Sequence, residues 1–349
     1  MGENARWTRR PEGSNWGEFG PDDECGRLNL LTPAKVLQGV AEVREGRTFC
    51  LSLPLDYPGG NVLNPRRHPP VRFATDRGGR ANYVYPFANE DPAWTDVVCD
   101  DKVLLHTQYS TQWDALSHVG AAFDADGDGV AEPVFYNGWR GGEDILGPPA
   151  EAEPGPRGAF EGVEARRLGI ERMAERCVQG RGVLVDLHAH LGLERVAVGY
   201  DGLMRVMAAD RVEVEAGDML CLHTGFAAEL LRMGKRPDAR VHAMCAALDG
   251  RDDRLLRWVT DSGVAVLIAD NYAVEAVPAR PGAAGACHPA MPLHEHCLVK
   301  LGIHLGEIWY LTELAEYLRA AGRSRFLLTA PPLRLPGAVG SPATPVATV

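Results

Sequence analysis

Apolar and polar positions alternate with two different periods along this chain, and the change of period marks its elements. RGVLVDL and GVAVLIAD are short continuous apolar runs, the signature of strands covered on both faces. VEVEAGDMLCLHTG reads as strand, turn, strand, RTFCLSLPLD (47–56) as a strand, IHLGE as a short strand and SRFLLTAPPLRL as strand material near the end. Helical spacing takes over elsewhere. Thr32-Pro33 opens a helix with Thr as cap and Pro at the first helical position; Val36, Leu37, Val40 and Val43 give it an apolar stripe and Gly46 stops it. Further helices are predicted over about 163–178 and 250–261, in PLHEHCLVKLG up to Gly302, and in LTELAEYLRAAG between a Thr312 cap and Gly322. Residues 57–95 and 120–160 are rich in Pro, Gly and charge and read as long loops, which in a compact chain often cover an active site. Strands and helices alternate irregularly and no repeat is visible, so the class is α/β or α+β.

Composition narrows the function more than the fold. A chain of 349 residues, 45% hydrophobic and 24% charged, is long enough for a substantial core, as one large domain or two. Its net charge of −11 argues against nucleic acid, whose phosphates need clustered Lys and Arg. Eight scattered cysteines without a CxxC pair fit free thiols in a reducing cytoplasm. The N-terminus lacks an apolar signal core and no apolar run approaches ~18 residues, so a soluble, cytoplasmic protein that avoids membranes is expected.

Three motifs have plain readings. DADGDG (124–129) begins like a calcium loop, but its twelfth position is Phe135 where a bidentate Glu should stand, so it reads as a polar turn. His188 and His190 would point the same way from an extended segment, as in barrel amidohydrolases. The repeated strand–helix units of such a barrel are missing, and hydrogen-bonded histidines are the simpler reading. No phosphate-cradling glycine loop and no GxSxG elbow occurs.

The segment HTQYSTQWDALSH (106–118) resists a plain reading. In an extended chain His106, Gln108, Ser110, Gln112 and Asp114 share one side, and Thr107, Tyr109, Thr111 and Trp113 the other. Either the polar side faces water with Tyr109 and Trp113 on the core, or it lines a site.

STQWDALSH resembles the signature of the cyclase family that includes bacterial kynurenine formamidases and isatin hydrolases, a His-x-x-x-His-x-Asp-x-x-x-His segment usually written around HGTHxDxPxH. Asp114 and His118 fall in its register. WGEFGPDDECGRLNLLTP, RGVLVDL, GDMLCLHTG, PLHEHCLVKLGIHLGE and VGSPATPVA resemble further family segments in the same order, across roughly residues 16–349. The resemblance implies a swivelling β/β/α fold in the α/β class, with a mixed, barrel-like strand core and flanking helices. It implies one domain over 1–349, with an N-terminal arm and helix over 1–46 and the long loops 57–95 and 120–160 within it. It also implies a homo-oligomer, dimer or tetramer, acting on a small molecule.

By the same resemblance a divalent metal, manganese or zinc, would be held by Gln108, Gln112, Asp114, His294 and Glu307, with His118 as acid/base. Gln stands at 108 and 112 where the better-known hydrolases have His. Carboxamide oxygen is a weak, hard donor, so the shell should favour manganese, magnesium or calcium over zinc and bind any of them less tightly. Three activities remain open. With metal, water is activated against an amide or lactam C–N bond and His118 shuttles protons. Without metal, Asp114 and His118 act as base and partner while the amides polarise a carbonyl, which suits cyclisation or dehydration in specialised metabolism. A non-catalytic binding protein is the third. His106, Tyr136 and Trp113 are candidates for substrate contact, although Trp113 would also serve beneath the site; Asp270 and Glu275 are candidates for support behind it, and His296 reads as a surface residue.

Overall fold

The computed structural model describes residues 6–155, 158–283, 285 and 287–349. Nine strands form one sheet: β1 Thr48–Cys50, β2 Gln112–Asp114, β3 Gln179–Asp186, β4 Met219–His223, β5 Val266–Ala269, β6 His304–Glu307, β7 Arg325–Thr329, β8 Gly340–Pro342 and β9 Val346–Thr348. Their spatial order is β1-β9-β7-β3-β4-β5-β6-β2-β8. The run β3-β4-β5-β6 is parallel and every other pairing is antiparallel. Helices α1 Pro33–Val40, α2 Ile170–Glu175, α3 Leu187–Leu191, α4 Tyr200–Ala209, α5 Phe226–Arg232, α6 Asp253–Ser262, α7 Pro292–His294 and α8 Thr312–Ala320 flank it.

The connection from β8 to β9 forces the sheet to curl. Seven inter-strand steps separate them in the order above, ~34 Å in a flat sheet. The three residues between Pro342 and Val346 span at most ~14 Å. The two ends therefore come together: Leu51 N–H donates to Pro345 O (2.9 Å) and Ala343 N–H to Thr111 O (3.2 Å). Thr111 Oγ1 accepts from Leu53 N–H (2.9 Å) and donates to Ile308 O (2.6 Å), tying three strand ends at one place. The result is a half-barrel.

Alternation along the parallel strands fills both faces. Val183, Val185, Leu220, Leu222, Leu267 and Ala269 join one apolar cluster, while Leu184, Met219, Cys221, Val266 and Ile268 join another on the opposite face. Continuous apolar runs are what a doubly covered parallel sheet requires.

Several expectations need correction. The opening helix is capped as read, Thr32 Oγ1 accepting from Lys35 N–H (3.3 Å), but it ends at Val40 and its apolar stripe faces out: Leu37 is 67% exposed. Its buried positions are Lys35 and Gly39, because it lies so close on β3 that a Cβ at Gly39 would stand 2.6 Å from Gly180 O. Backbone approach, rather than amphipathicity, sets this helix. The 163–178 helix contracts to α2, and 212–215 is not a strand. In α8 Leu311 is the cap and Thr312 the first helical residue. The segment 106–118 is extended only over β2, residues 107–111 forming turns and bends. His296 is buried, pairing through Nε2 with Thr260 Oγ1 (2.9 Å). The 57–95 loop region contains small two-stranded sheets, among them Val71–Ala74 with Asp101–Leu104.

Candidate functional site

Each strand of the parallel run leads into a titratable residue: Asp186 ends β3, His223 ends β4, Asp270 follows β5 and Glu307 ends β6. Carboxyl ends of parallel strands are where open α/β sheets take ligands. At the β6 end, antiparallel pairing with β2 sets Gln112 directly opposite Glu307, and Asp114 lies two residues on, on the same face. Trp113 points to the other face, fully buried, donating Nε1–H to Ala330 O (2.8 Å) and packing edge-on against Trp309.

His294 comes from α7, which runs into a π-helical turn, Glu295–Leu301, closed by Gly302 at φ 62°. Glu275 orients it. One carboxylate oxygen of Glu275 accepts from Leu293 N–H (3.1 Å), the other from His294 N–H (2.9 Å) and from the ring at Nδ1 (2.7 Å). The ring therefore turns Nε2 inward, 3.3 Å from Glu307 Oε1. A carboxylate behind a ligating imidazole is the usual way such a ring is fixed. Two β-branched residues next to these carboxylates have left-handed backbone, Val274 at φ 55° and Ile308 at φ 56°. Such conformations are costly for branched side chains and concentrate at functional sites.

The donor atoms of Asp114, His294 and Glu307 all lie within 4.8 Å of one another. Two ligands at ~2.1 Å from one ion stand at most ~4.2 Å apart, so a slight tightening suffices. Gln112 Nε2–H donates to Glu307 Oε2 (3.0 Å) and to Asp114 Oδ1 (3.3 Å). Gln112 Oε1 and Asp114 Oδ2 are buried without a partner. Buried acceptors left unpaired are costly, and here two of them belong to neighbouring side chains of one cluster. The residues present fit a divalent ion, with Asp114, Glu307 and His294 as its holders and the Gln112 oxygen available if the amide turns over.

The charges are mutually displaced. Burial, reinforced by the charge of Glu307, pushes Asp114 up to about 6 against the opposing pull of His118. Burial acts on Glu307 too, but the His294 hydrogen bond and the charges of His294 and Arg67 hold it below the usual carboxylate range. Burial disfavours the His294 cation, yet its bonds to Glu275 and Glu307 raise it to about 10.

The mouth is formed by His118, partly exposed, with Nε2 3.8 Å from Asp114 Oδ1 and Nδ1 3.3 Å from the Gln108 amide. Thr107 Oγ1 donates to Gln108 Oε1 (2.8 Å), and Arg67 Nη1 donates to Gln108 O (2.7 Å). Gln108, expected among the ligands, thus stands behind His118. Of the three substrate-contact candidates, His106 is at the surface beside His68, ring centroids 5.6 Å apart. Trp113 and Tyr136 are core residues, Tyr136 packed over Gly302. The structure brings together Asp114, His118, Gln112, His294 and Glu307, with Glu275 behind them. The DADGDG turn brings Asp124, Asp126 and Asp128 within 4.8 Å of one another on the surface, where Arg9 and Arg140 pair with the first two.

Sequence reading passed over Arg67 and the Asp186–His223 pair. Arg67 lies in a loop without periodicity. The pair was legible as apolar runs that each end in Asp, His, Asp or Glu. His223 Nδ1 lies 2.8 Å from Asp186 Oδ1, while His188 is on α3 and His190 pairs with Asp210 (2.9 Å), so the His-x-His residues diverge.

The family described as "Putative cyclase" matches residues 62–276. No curated protein matches the chain. Among solved structures, a novel cyclase is 29% identical with a TM-score of 0.72, covering 96% of this chain and 97% of its own. Isatin hydrolase A from Labrenzia aggregata, bound to benzyl benzoate, is 14% identical with a TM-score of 0.51 over 86% of this chain and 93% of its own. Isatin hydrolase A from Ralstonia solanacearum is 16% identical, also at 0.51, over 86% and 91%. The likeness to both isatin hydrolases is one of fold.

Proposed function

The chain belongs to the Cyclase family and has its fold, a curled mixed sheet with flanking helices, and from that premise we propose a metal-dependent hydrolase of an amide- or lactam-type C–N bond in a small metabolite. The observation that carries this reading is the convergence of Asp114, His294 and Glu307, with one buried oxygen of Asp114 and one of Gln112 left unpaired. When bound, a divalent ion there, manganese before zinc on account of the oxygen-rich donor set, supplies Lewis acidity that activates water and polarises a carbonyl. Asp114, Glu307 and His294 hold it; Glu275 keeps His294 facing inward. His118, reached from solvent and steadied by Gln108, takes a proton from water and delivers it to the leaving nitrogen.

Metal analysis after purification without added ions, followed by a panel of small N-acyl and lactam substrates, tests the reading. One bound ion per chain and turnover abolished by EDTA are expected. Turnover that survives EDTA favours the second reading, a metal-free cyclase or dehydratase. One contact speaks for that reading: the Gln112 amide already bridges both carboxylates. Ligand binding with no turnover under either condition identifies a binding protein.

We extend the proposal to assembly and location. Within 71–104 only Asn82 and Tyr85 are buried, while Trp94, Val97, Val103 and Leu104 are exposed. A two-stranded hairpin alone is marginal in water, so this arm suits packing on a second copy. Light scattering on the wild type and on Val103→Asp distinguishes a homo-oligomer from a monomer. No helix among the described residues is long and apolar enough to cross a membrane, and all eight cysteines are free, which suits one cytoplasmic domain.

A further inference from the structure

The side-chain donors around the cluster are nearly all spent. Gln112 Nε2–H goes to Glu307 and Asp114, Gln108 Nε2 lies against His118 Nδ1 (3.3 Å), and Thr107 Oγ1–H goes to Gln108 Oε1. Hydrolysis of a C–N bond calls for one more. Addition of water to the carbonyl carbon drives negative charge onto the carbonyl oxygen, and a donor aimed at that oxygen is worth about 100-fold or more in rate. Arg67 has N–H groups to spare. Its Nη1 donates to Gln108 O (2.7 Å), whereas Nε and Nη2 have no hydrogen-bond partner among the described residues, and no described carboxylate stands at ion-pair distance from it.

The loop that carries Arg67 is tied down. Tyr109 Oη–H donates to Gly60 O (2.8 Å), Arg66 N–H to Asn64 Oδ1 (3.0 Å) and Arg67 N–H to Asn64 O (3.1 Å). Asn64, itself buried, donates Nδ2–H to Tyr272 Oη (3.1 Å). From Gln108, the residue that Arg67 holds, contacts run inward to His118 Nδ1 and from His118 Nε2 to Asp114 Oδ1 (3.8 Å). Burial dominates at both Asp114 and Glu307, and at both the Arg67 charge works against it, although Arg67 pairs with neither. Any neutral donor could tie the loop to Gln108 O. A half-buried guanidinium costs solvation that a neutral donor would not, and its charge persists at any working pH.

Resting on the hydrolase reading above, we propose that Arg67 is a catalytic residue whose free N–H groups bond the scissile carbonyl oxygen as it becomes an oxyanion. The water oxygen bonds to the carbonyl carbon, the π pair moves to the carbonyl oxygen, and the water proton passes to His118. When that pair returns, the C–N bond breaks, its electrons leave with nitrogen, and His118 gives nitrogen the proton. Arg67 transfers nothing. It supplies a fixed positive charge where negative charge develops.

Hydrolysis of 4-nitroacetanilide by the manganese-loaded protein tests this, because the probe is an uncharged amide that releases coloured 4-nitroaniline. Arg67→Gln keeps a donor for Gln108 O and removes the charge; Arg67→Lys keeps both. Arg67→Gln should lower kcat and kcat/KM together by about 100-fold, as loss of a contact made only in the transition state does, and Arg67→Lys should lower them by about tenfold or less. Calorimetric titration adds a readout besides turnover: Arg67→Gln should bind manganese at least as tightly as wild type, since a charge that opposes the cation is gone. Weakened manganese binding or a lowered melting temperature alongside the rate loss overturns the proposal and makes Arg67 a support of the site. An unchanged kcat in Arg67→Gln, whatever KM does, or an Arg67→Lys as slow as Arg67→Gln, also overturns it and leaves the hydrolase reading standing. If wild type hydrolyses the anilide equally fast in EDTA and Arg67→Gln still slows it, the metal-dependent reading fails and the role of Arg67 survives.

Discussion

Two buried carboxylate–imidazole–carboxylate clusters occur in this chain, one at the carboxyl ends of β3, β4 and β5, the other assembled from the end of β6, α7 and the segment after β5, and they are finished differently. In the Asp186–His223–Asp270 cluster every carboxylate oxygen has partners. Asp186 accepts from His223, Ala189 N–H and Arg319; Asp270 accepts from Thr224 N–H, Thr224 Oγ1 and Gly225 N–H. In the Glu275–His294–Glu307 cluster, the added Asp114 and Gln112 leave two oxygens with none. Composition alone would class the two together. The difference is hydrogen-bond closure: a satisfied network fixes the ends of strands, whereas an unsatisfied one leaves acceptors free for a ligand. Breaking each cluster should therefore hurt a different property.

The largest effect falls on the closed cluster. His223→Leu leaves Asp186 and Asp270 buried without their shared partner and should cost on the order of 3–5 kcal/mol of stability. Chemical denaturation measures it, and metal content per folded chain should not move. A loss below about 1 kcal/mol would mean the closed network is not what fixes these strand ends.

Next comes Asp114→Asn, which should weaken manganese binding by at least about 100-fold, read by isothermal titration. The metal-free variant should melt no lower than wild type, because a buried carboxylate without full compensation has been removed. A large fall in melting temperature with metal affinity retained would reverse the roles assigned to the two clusters. Glu275→Gln should weaken the same binding by about 10- to 100-fold, since His294 keeps its position but loses its charged anchor.

The smallest effect is the pH dependence of the closed cluster. Burial disfavours the His223 cation, but Asp186 and Asp270 raise its pKa overall. Its contribution is full below the unfolded value near 6.5 and fades as pH rises through the raised folded one. Burial likewise opposes the Asp186 charge, but His223 lowers its pKa overall, so its contribution is full above the unfolded value near 4 and fades as pH falls through the lowered one. Stability referred to His223→Gln should therefore form a plateau across roughly pH 4–6.5 and fall on both sides. A flat difference profile would show that the pair is not ionic.

Legibility in the sequence followed locality. The buried strands were visible as apolar runs because a doubly covered strand needs little besides apolar residues. Asp114, His294 and Glu307, which the structure brings together, were named through the resemblance of their segments to the family's. Gln108 was assigned to the metal shell by resemblance, and in the structure the chain turns over 107–111 and sets its amide 3.3 Å from His118 Nδ1. The stripe on α1 misled because contact with β3 is made by Gly39, which contributes nothing to an amphipathic pattern.

By itself the sequence determined which segments must be buried and which residue types were available for chemistry, since hydrophobic periodicity and side-chain identity are read from short stretches. Only the tertiary structure decided which of two similar carboxylate–histidine sets was closed and which was open. That outcome depends on the strand order, which pairs β2 antiparallel with β6 and so adds Asp114 and Gln112 to one set and not the other.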